Sequence, residues 1–279
     1  MERSILVGVD GSEAGFRAVL WAAHEADRRG HRLVLLSSME VPADVAAFAW
    51  PEQEVRKDAL AAVKEAERRA RAVAPGLDVA STVVADAPAP ALTGPGADTS
   101  MVVVGLRGRG GFPGMRIGSV AYHVAAHSPV PVVIVGPDPA AEASPEVVVG
   151  VCGSPNADHP LAAAFEAATL GGSPVRTVWA WTPPPRRSPE LDVYAEAIRK
   201  GAESGATEAL RPWLAKYPDV KVAFEIVESQ PVLALTRAAS RAHLIVVGAR
   251  SREVLPRLAL GGVAHGLLHH APCPVMIVH

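Results

Sequence analysis

Residues 5–12 read ILVGVDGS, and the same pattern returns at residues 147–154 as VVVGVCGS. Each stretch is an apolar run that stops at a glycine-containing turn, which is typical of a buried strand followed by a tight loop. Two further blocks recur in the same order along the chain, namely residues 101–105 with 244–248 and residues 127–135 with 270–278. Such a repeat indicates two copies of one domain.

Two domains also fit the length of 279 residues. We predict that the first domain occupies residues 1–137 and that the second occupies residues 145–279. Between them, residues 136–145 read GPDPAAEASP, a composition rich in proline and alanine that is typical of a linker.

The charge and composition of the chain exclude several classes of protein. Lys and Arg number 27 against 29 Asp and Glu, so the formal net charge is -2. Proteins that neutralise nucleic-acid phosphates usually carry a basic excess, and we therefore expect no nucleic acid partner. Apolar stretches of about 18 residues are absent from the sequence, so we expect no membrane span. The start lacks a secretion signal and the 2 cysteines are too few for a disulfide framework, which predicts a cytoplasmic protein.

Short apolar runs alternate with longer amphipathic stretches in each copy. The runs lack the alternation of half-exposed strands, which is typical of parallel strands covered by helices on both faces. The pattern predicts helices from Ser12 to Arg29, before Gly30, and over residues 51–74. Residues 87–96, rich in proline and glycine, predict only a short, irregular helix. We therefore predict an α/β fold built on a doubly wound parallel sheet.

A glycine-rich segment follows the fourth predicted strand, where residues 105–120 read GLRGRGGFPGMRIGSV. Gly105 is expected to lie at the carboxyl end of that strand, where ligands of open α/β sheets bind. Gly108 is expected to turn the backbone with a positive φ. Gly118 and Ser119 are expected to open the next helix, whose free N–H groups and dipole suit a phosphate chain. The alternative is a glycine-rich surface loop that binds nothing.

Arginines in the same segment add positive charge without a nearby acid, namely Arg107, Arg109 and Arg116. Other glycine motifs fit poorly. The sequence contains no G-x-x-x-x-G-K-[ST] P-loop, and the segment follows the fourth strand, whereas a dinucleotide fingerprint follows the first.

The spacing Gly105-x2-Gly108-x9-Gly118-Ser119 resembles the ATP-binding motif of the universal stress protein family, G-2x-G-9x-G-[S/T]. The first strand, ending in VDGS, resembles that family's first strand, which carries an Asp at the nucleotide pocket. The ending HSPVPV at residues 127–132 resembles the family's H-x-x-x-P-V ending. Two family copies cover nearly the whole chain, which is therefore similar to a tandem universal stress protein.

The resemblance implies two doubly wound parallel five-stranded sheets, each with strand order 3-2-1-4-5, in a tandem repeat. It also implies that ATP, with Mg²⁺, is held by the first domain. Asp10 would lie beside the nucleoside, while Val9 and Ser38 would line the adenine side through backbone groups. The residues holding the ribose and phosphates would be Gly105, Gly108, Gly118, Ser119 and Val120. The family also implies a homodimer, and a regulatory protein partner would read the nucleotide-bound state.

The second copy departs from the motif. Ser251 replaces the second glycine, Gly262 replaces the serine, and Cys152 replaces the aspartate. Glu253 also places a negative charge where phosphates would lie. With a Cβ at a left-handed position, we expect binding weaker by about 2–4 kcal/mol, or roughly 30- to 1000-fold. This predicts one ATP per chain, in the first domain; the alternative is that the second copy binds through a rearranged loop.

Two histidine pairs have the helical spacing that zinc ligands use, namely His123 with His127 and His265 with His269. A third ligand does not present itself, so we expect packed or surface histidines and no metal site. We assign no catalytic residue either, because the sequence shows neither a P-loop lysine nor a G-x-S-x-G nucleophile elbow.

These features predict an ATP-binding regulator rather than an enzyme, with slow ATP hydrolysis left open, and the family resemblance implies a role in stress response. The alternatives are a slow ATPase or nucleotidyl enzyme of the same fold, a nucleotide-free interaction scaffold, and a domain that binds cyclic AMP or another adenine nucleotide. Asp10→Ala or Gly118→Ala is expected to abolish most binding, whereas Gly261→Ala should change little.

Overall fold

The computed structural model describes residues 3–39, 52–94, 96–109, 116–136, 144–151, 158–182, 189–249 and 260–279. The chain divides into two compact units, residues 1–137 and residues 138–279. We call them unit one and unit two.

Unit one alternates strands and helices along the chain, as the sequence predicts. Its elements are β1 (Ser4–Gly8), α1 (Glu13–Arg29), β2 (Arg32–Ser38), α2 (Glu52–Val73), β3 (Val79–Val84), α3 (Pro88–Thr93), β4 (Thr99–Gly105), α4 (Ser119–His127) and β5 (Val132–Val135). Its paired strands run parallel and lie in the order β3-β2-β1-β4-β5. This is the predicted order 3-2-1-4-5, in a parallel α/β fold.

Burial in unit one follows the position of each strand. The central strands β1 and β4 are almost wholly buried, which explains their unbroken apolar sequence. Strand β3 differs from the expectation of burial on both faces, because it lies at the end of the strand order and exposes Ser81 and Thr82.

The helix boundaries follow local sequence signals. Helix α1 begins after Ser12, whose hydroxyl accepts a hydrogen bond from the N–H of Gly15, and ends at Gly30, which has φ 61°. Helix α3 has 6 residues and starts at Pro88, so the short helix predicted in this proline-rich segment is confirmed.

Unit two repeats this arrangement. Its elements are β6 (Val147–Val151), α5 (Asp158–Gly171), β7 (Val175–Trp181), α6 (Pro189–Lys216), β8 (Val222–Glu228), α7 (Pro231–Ala238), a 3-10 turn (Ala239–Arg241), β9 (Leu244–Gly248), α8 (Gly262–His270) and β10 (Val275–Val278). Its parallel strands lie in the order β10-β9-β6-β7-β8, which is the order of unit one read from its other end.

The topology of unit one fixes where a ligand can bind. Strand β1 pairs with β2 on one side and with β4 on the other, so the direction of winding reverses between β1 and β4. The segments that leave the carboxyl ends of these two strands therefore diverge, which opens a crevice at that edge of the sheet.

Among the described residues, no helix is long and apolar enough to cross a membrane.

Candidate functional site

A cavity of about 450 Å³ lies at the carboxyl ends of β1, β2 and β4 in unit one. This volume falls within the range of small-molecule sites. The eight residues that the sequence singled out for nucleotide binding all line it: Val9, Asp10, Ser38, Gly105, Gly108, Gly118, Ser119 and Val120. The structure therefore brings together residues that are more than a hundred positions apart in the chain.

One end of the cavity is the start of helix α4. Gly118 is its N-cap and has no side-chain capping bond. Its own N–H donates to the carbonyl of Leu106 at 2.9 Å, and its carbonyl accepts from Tyr122 at 3.0 Å. Because the first N–H groups of a helix have no acceptor within it, those of Ser119, Val120 and Ala121, which all line the cavity, can donate to a ligand at the positive end of the helix dipole.

The carboxylate of Asp10 connects two walls of the cavity. Its Oδ1 accepts hydrogen bonds from the N–H of Ser12 at 2.9 Å and from the Ser12 hydroxyl at 2.6 Å. Its Oδ2 accepts the N–H of Arg109 at 2.8 Å. Asp10 thus joins the β1–α1 turn to the segment after β4.

Two glycines lie directly against this carboxylate. A Cβ placed on Gly108 would be 2.5 Å from Oδ2 of Asp10, and one placed on Gly15 would be 2.7 Å from Oδ1. The expected positive φ at Gly108 is wrong: the described glycines with positive φ are Gly11, Gly30 and Gly172. Position 108 needs glycine because a Cβ would not fit beside Asp10. Position 15 needs glycine for the same reason, although the sequence analysis did not single it out.

The other end of the cavity lies between β2 and the helices α2 and α3. Val9 donates its N–H to the carbonyl of Leu36 at 2.8 Å within the sheet, and the Ser38 hydroxyl donates to the carbonyl of Asp86. The sequence did not single out several residues of this wall, namely Leu36, Ser37, Val55, Asp58, Ala59, Pro88 and Leu92. The apolar periodicity of α2 predicts which face of that helix is buried, but it does not show that the N-terminal part of the face meets a ligand cavity.

The charge at the cavity is mixed rather than purely positive. Arg107 and Arg109 line it, as expected, but so do Asp10 and Asp58, so the arginines do have acids nearby. The guanidinium of Arg109 lies directly against Gly11, which has φ 77° and no side chain. The third arginine, Arg116, is not among the residues that line the cavity.

Unit two keeps part of this architecture. Gly261 donates its N–H to the carbonyl of Ala249 at 2.8 Å and accepts from His265 at 2.9 Å, as Gly118 does with its neighbours. The first strand of each unit is also packed alike, because a Cβ added to Gly8 or to Gly150 would lie 3.0 Å from a leucine side chain. Replacing Ser119 by Gly262 therefore leaves the start of the helix unchanged.

Unit two differs at the side that corresponds to Ser37. The register pairs Gly8 with Leu36 and Gly150 with Val178, so Ser37 corresponds to Trp179. A Cβ on Gly205 of α6 would lie 3.9 Å from the six-membered ring of Trp179. The indole therefore extends from β7 to α6, whereas its counterpart Ser37 lines the cavity of unit one.

Three residues of the second copy that depart from the motif have no described structure. Cys152, Ser251 and Glu253 lie outside the described residues. The expected cost of a Cβ at a left-handed position does not apply, because Gly108, the counterpart of Ser251, is not left-handed.

The histidine pairs lie on the last helix of each unit. The rings of His123 and His127 stack with centroids 4.3 Å apart, and those of His265 and His269 lie 4.8 Å apart. Within the part of the chain that the structure describes, His, Cys, Asp and Glu form no group of three that could hold a metal ion.

The chain is a doubly wound α/β protein with a cavity at its switch point, and comparison with known proteins identifies its family. The model of the Universal stress protein family matches residues 1–136 and 145–279. A universal stress protein of Mycobacterium tuberculosis is 32% identical over 290 residues, covering 99% of this chain and 97% of the relative. Another, of Mycolicibacterium smegmatis, is also 32% identical, with 99% and 97% covered.

A solved structure agrees with the fold. The universal stress protein from Archaeoglobus fulgidus DSM 4304 superposes with a TM-score of 0.71 at 19% sequence identity, covering 99% of this chain and 97% of that one. The chain belongs to the universal stress protein family and carries two of its domains in tandem.

Proposed function

We propose that unit one binds an adenine nucleotide, ATP accompanied by Mg²⁺, and that the chain acts as a nucleotide-dependent regulator in stress response. The observation that carries this proposal is the single cavity lined by all eight residues of the nucleotide motif. Its two ends suit the two ends of a nucleotide: a slot between β2 and α2 for a base, and a helix start for phosphates.

Hydrogen bonds at the phosphate end would contribute a large part of the binding free energy of a nucleotide. Hydrogen bonds to a charged acceptor contribute about 1.5–3 kcal/mol each. Two or three of them, from Ser119, Val120 and the adjoining backbone, would supply much of the roughly 8 kcal/mol that corresponds to micromolar affinity. Arg109 also lines the cavity and adds a cation to it.

The protein groups suit a Mg²⁺ ion that arrives bound to the phosphates. Both oxygens of Asp10 already accept hydrogen bonds from Ser12 and Arg109, so Asp10 is poorly placed to serve as a metal ligand. Ser119 lines the cavity at the phosphate end, and its hydroxyl is the protein group that would approach the ion. Mg²⁺ commonly keeps several waters and few protein ligands, and when bound it would neutralise phosphate charge.

In this proposal the chain binds nucleotide without fast turnover. A general base needs a carboxylate or imidazole with a free lone pair beside the attacking water. Asp10 is held by three hydrogen bonds that fix it in a structural position. A steady-state ATP turnover above roughly 1 s⁻¹, the low end of ordinary enzymes, would instead favour an enzyme of the same fold.

Regulation would follow from a difference between nucleotide-bound and free states. A ligand shifts an equilibrium only by its differential affinity for the two states, and a protein partner would read the state that ATP favours. The homodimer implied by the family stays a prediction.

The test is to release and identify the small molecules that accompany the purified chain. Mass spectrometry of the denatured protein should find an adenine nucleotide, in an amount that falls when Ser119 is replaced by Asp, which puts a negative charge at the phosphate end. Gly262→Asp, at the corresponding position of unit two, is the matched control and should leave the amount unchanged. If the protein carries no nucleotide and its unfolding temperature does not shift with ATP, the interaction-scaffold alternative is favoured. If cyclic AMP raises the unfolding temperature more than ATP does, the ligand is cyclic AMP instead of ATP.

A further inference from the structure

We infer that Asp10 is a positioning residue: it ties the segment after β4 to the start of α1, so that the cavity of unit one is formed before a ligand arrives. This inference rests on the proposed function for its consequence in binding. Its structural part stands on contacts between residues of the chain itself.

The first argument is the division of the carboxylate between two loops. Oδ1 accepts two hydrogen bonds from Ser12, and Oδ2 accepts one from the backbone N–H of Arg109 at 2.8 Å. Arg109 lies in the glycine-rich segment, so the carboxylate fixes the distance between that segment and the capped turn of α1. Removing it would release both at once.

The second argument is that the position of the Asp10 carboxylate explains why two neighbouring residues are glycine. Positions 108 and 15 cannot carry a Cβ while the carboxylate is present, because it would approach Oδ2 and Oδ1 to 2.5 Å and 2.7 Å. Neither glycine has a positive φ, so their backbone conformation does not demand glycine. The demand comes from Asp10.

The third argument comes from the repeat itself. The positions that correspond to Asp10, Gly15 and Gly108 carry Cys152, Ala157 and Ser251 in the second copy. All three differ together, and both glycines have gained a Cβ where the carboxylate has been lost. Glycines of the motif that do not touch Asp10 are kept, namely Gly8, Gly105 and Gly118 as Gly150, Gly248 and Gly261. This is the pattern expected if the three residues form one unit.

A contact with nucleoside alone would not produce this dependence. If Asp10 served only to bind ligand, its removal would lower affinity and leave the free protein unchanged. It would also leave the cost of a Cβ at Gly108 unchanged. These two differences define the experiment.

The experiment measures amide hydrogen exchange and thermal unfolding of the nucleotide-free chain, for wild type, Asp10→Ala, Gly108→Ala and the double variant. Loss of a hydrogen bond to a charged acceptor should speed exchange at the Arg109 amide by about 10-fold or more in Asp10→Ala. Gly108→Ala should lower the unfolding midpoint in wild type and leave it nearly unchanged in the Asp10→Ala background. Gly118→Ala is the control and should have the same effect in both backgrounds, since its Cβ would be 3.5 Å or more from its neighbours.

Unchanged exchange at Arg109, or an equal effect of Gly108→Ala in both backgrounds, would overturn the inference. If Asp10→Ala does not fold, Asp10→Asn decides the question, because an amide can accept on only one side and should deprotect either Ser12 or Arg109 but not both. These measurements need no nucleotide. Failure of the wild type to bind ATP would therefore refute the proposed function, while the exchange and unfolding data would still decide whether Asp10 is a positioning residue. With ATP, Gly108→Ala should lower affinity about 10-fold or more in wild type and less than about 2-fold without Asp10.

Discussion

Gly105 is the glycine at which an added methyl group should do most damage. A Cβ there would lie 2.7 Å from both the carbonyl carbon and the oxygen of Ala14, and 3.0 Å from the nitrogen of Gly15. All three are backbone atoms of the first turn of α1, so no side chain can rotate away. Normal contact between heavy atoms is about 3.5 Å, so α1 and β4 would have to separate by nearly 1 Å.

We expect Gly105→Ala to destabilise unit one by about 3 kcal/mol, the upper part of the range for overpacked interiors. At about 4 °C per kcal/mol for a domain of this size, the midpoint of its thermal unfolding should fall by roughly 10 °C. The separation would also move the turn that holds Asp10, so protection of unit one by ATP should be lost. Differential scanning calorimetry with and without ATP measures both effects.

Gly118→Ala is the matched control, because it adds the same methyl group to the same segment. Its Cβ would lie 3.5–3.7 Å from Leu106, Arg107 and Gly108, which is ordinary contact, and its φ of -76° suits any residue. Alanine at a helix N-cap costs about 1 kcal/mol or less relative to glycine, or about 4 °C. The motif alone predicts that Gly118→Ala abolishes most binding, and the geometry lowers that expectation to a modest loss. Equal midpoints for the two variants would refute the steric reasoning.

Three further predictions concern other parts of the chain. Ser37→Trp, which copies the residue of unit two into the base end of the cavity, should weaken binding of adenine nucleotides more than 10-fold in a fluorescence titration, whereas Trp179→Ser should leave it unchanged. Burial raises the pKa of Cys273 to about 12, so in a Cys152→Ser background iodoacetamide at pH 8 should label this thiol only after unfolding, and rapid labelling of the native chain would contradict its burial. Hydrogen bonds from Arg68, and then from Arg69, lower the pKa of Glu65 to about 2 from 4.5, so any stability they add is present above pH 4.5 and lost as the pH falls toward 2. Acid unfolding should therefore show a smaller pH dependence in Glu65→Gln over that interval. The effect will be small because the Glu65 side chain is 34% exposed, and an identical dependence would argue that these ion pairs contribute nothing.

The fold could be predicted from the sequence because its signals are local and repeated. Apolar runs such as residues 101–105, a capping serine at Ser12 and a terminating glycine at Gly30 each act within a few residues, and the second copy repeats the pattern. The short α3 followed from its prolines for the same reason. Strand order came from the family resemblance, since local signals do not specify which strands pair.

The residues of the site could be found, but the reasons for them could not. Motif spacing identified Gly108, yet the reason that this position needs glycine is the carboxylate of Asp10, a contact between residues 98 positions apart that only the folded chain reveals. Gly15 and Ser37 escaped notice because each looks ordinary in its own helix or strand. The sequence also does not show that Trp179 in β7 lies close to Gly205 in α6, because that contact joins two elements of the folded unit.

Isothermal titration of the intact chain with ATP tests the central claim most directly. We predict one binding event per chain, because the motif residues line a cavity in unit one, whereas unit two departs from the motif and carries the bulky Trp179 at the position of the cavity-lining Ser37. A stoichiometry near two, or the absence of any binding heat for ATP and for other adenine nucleotides, would contradict the account.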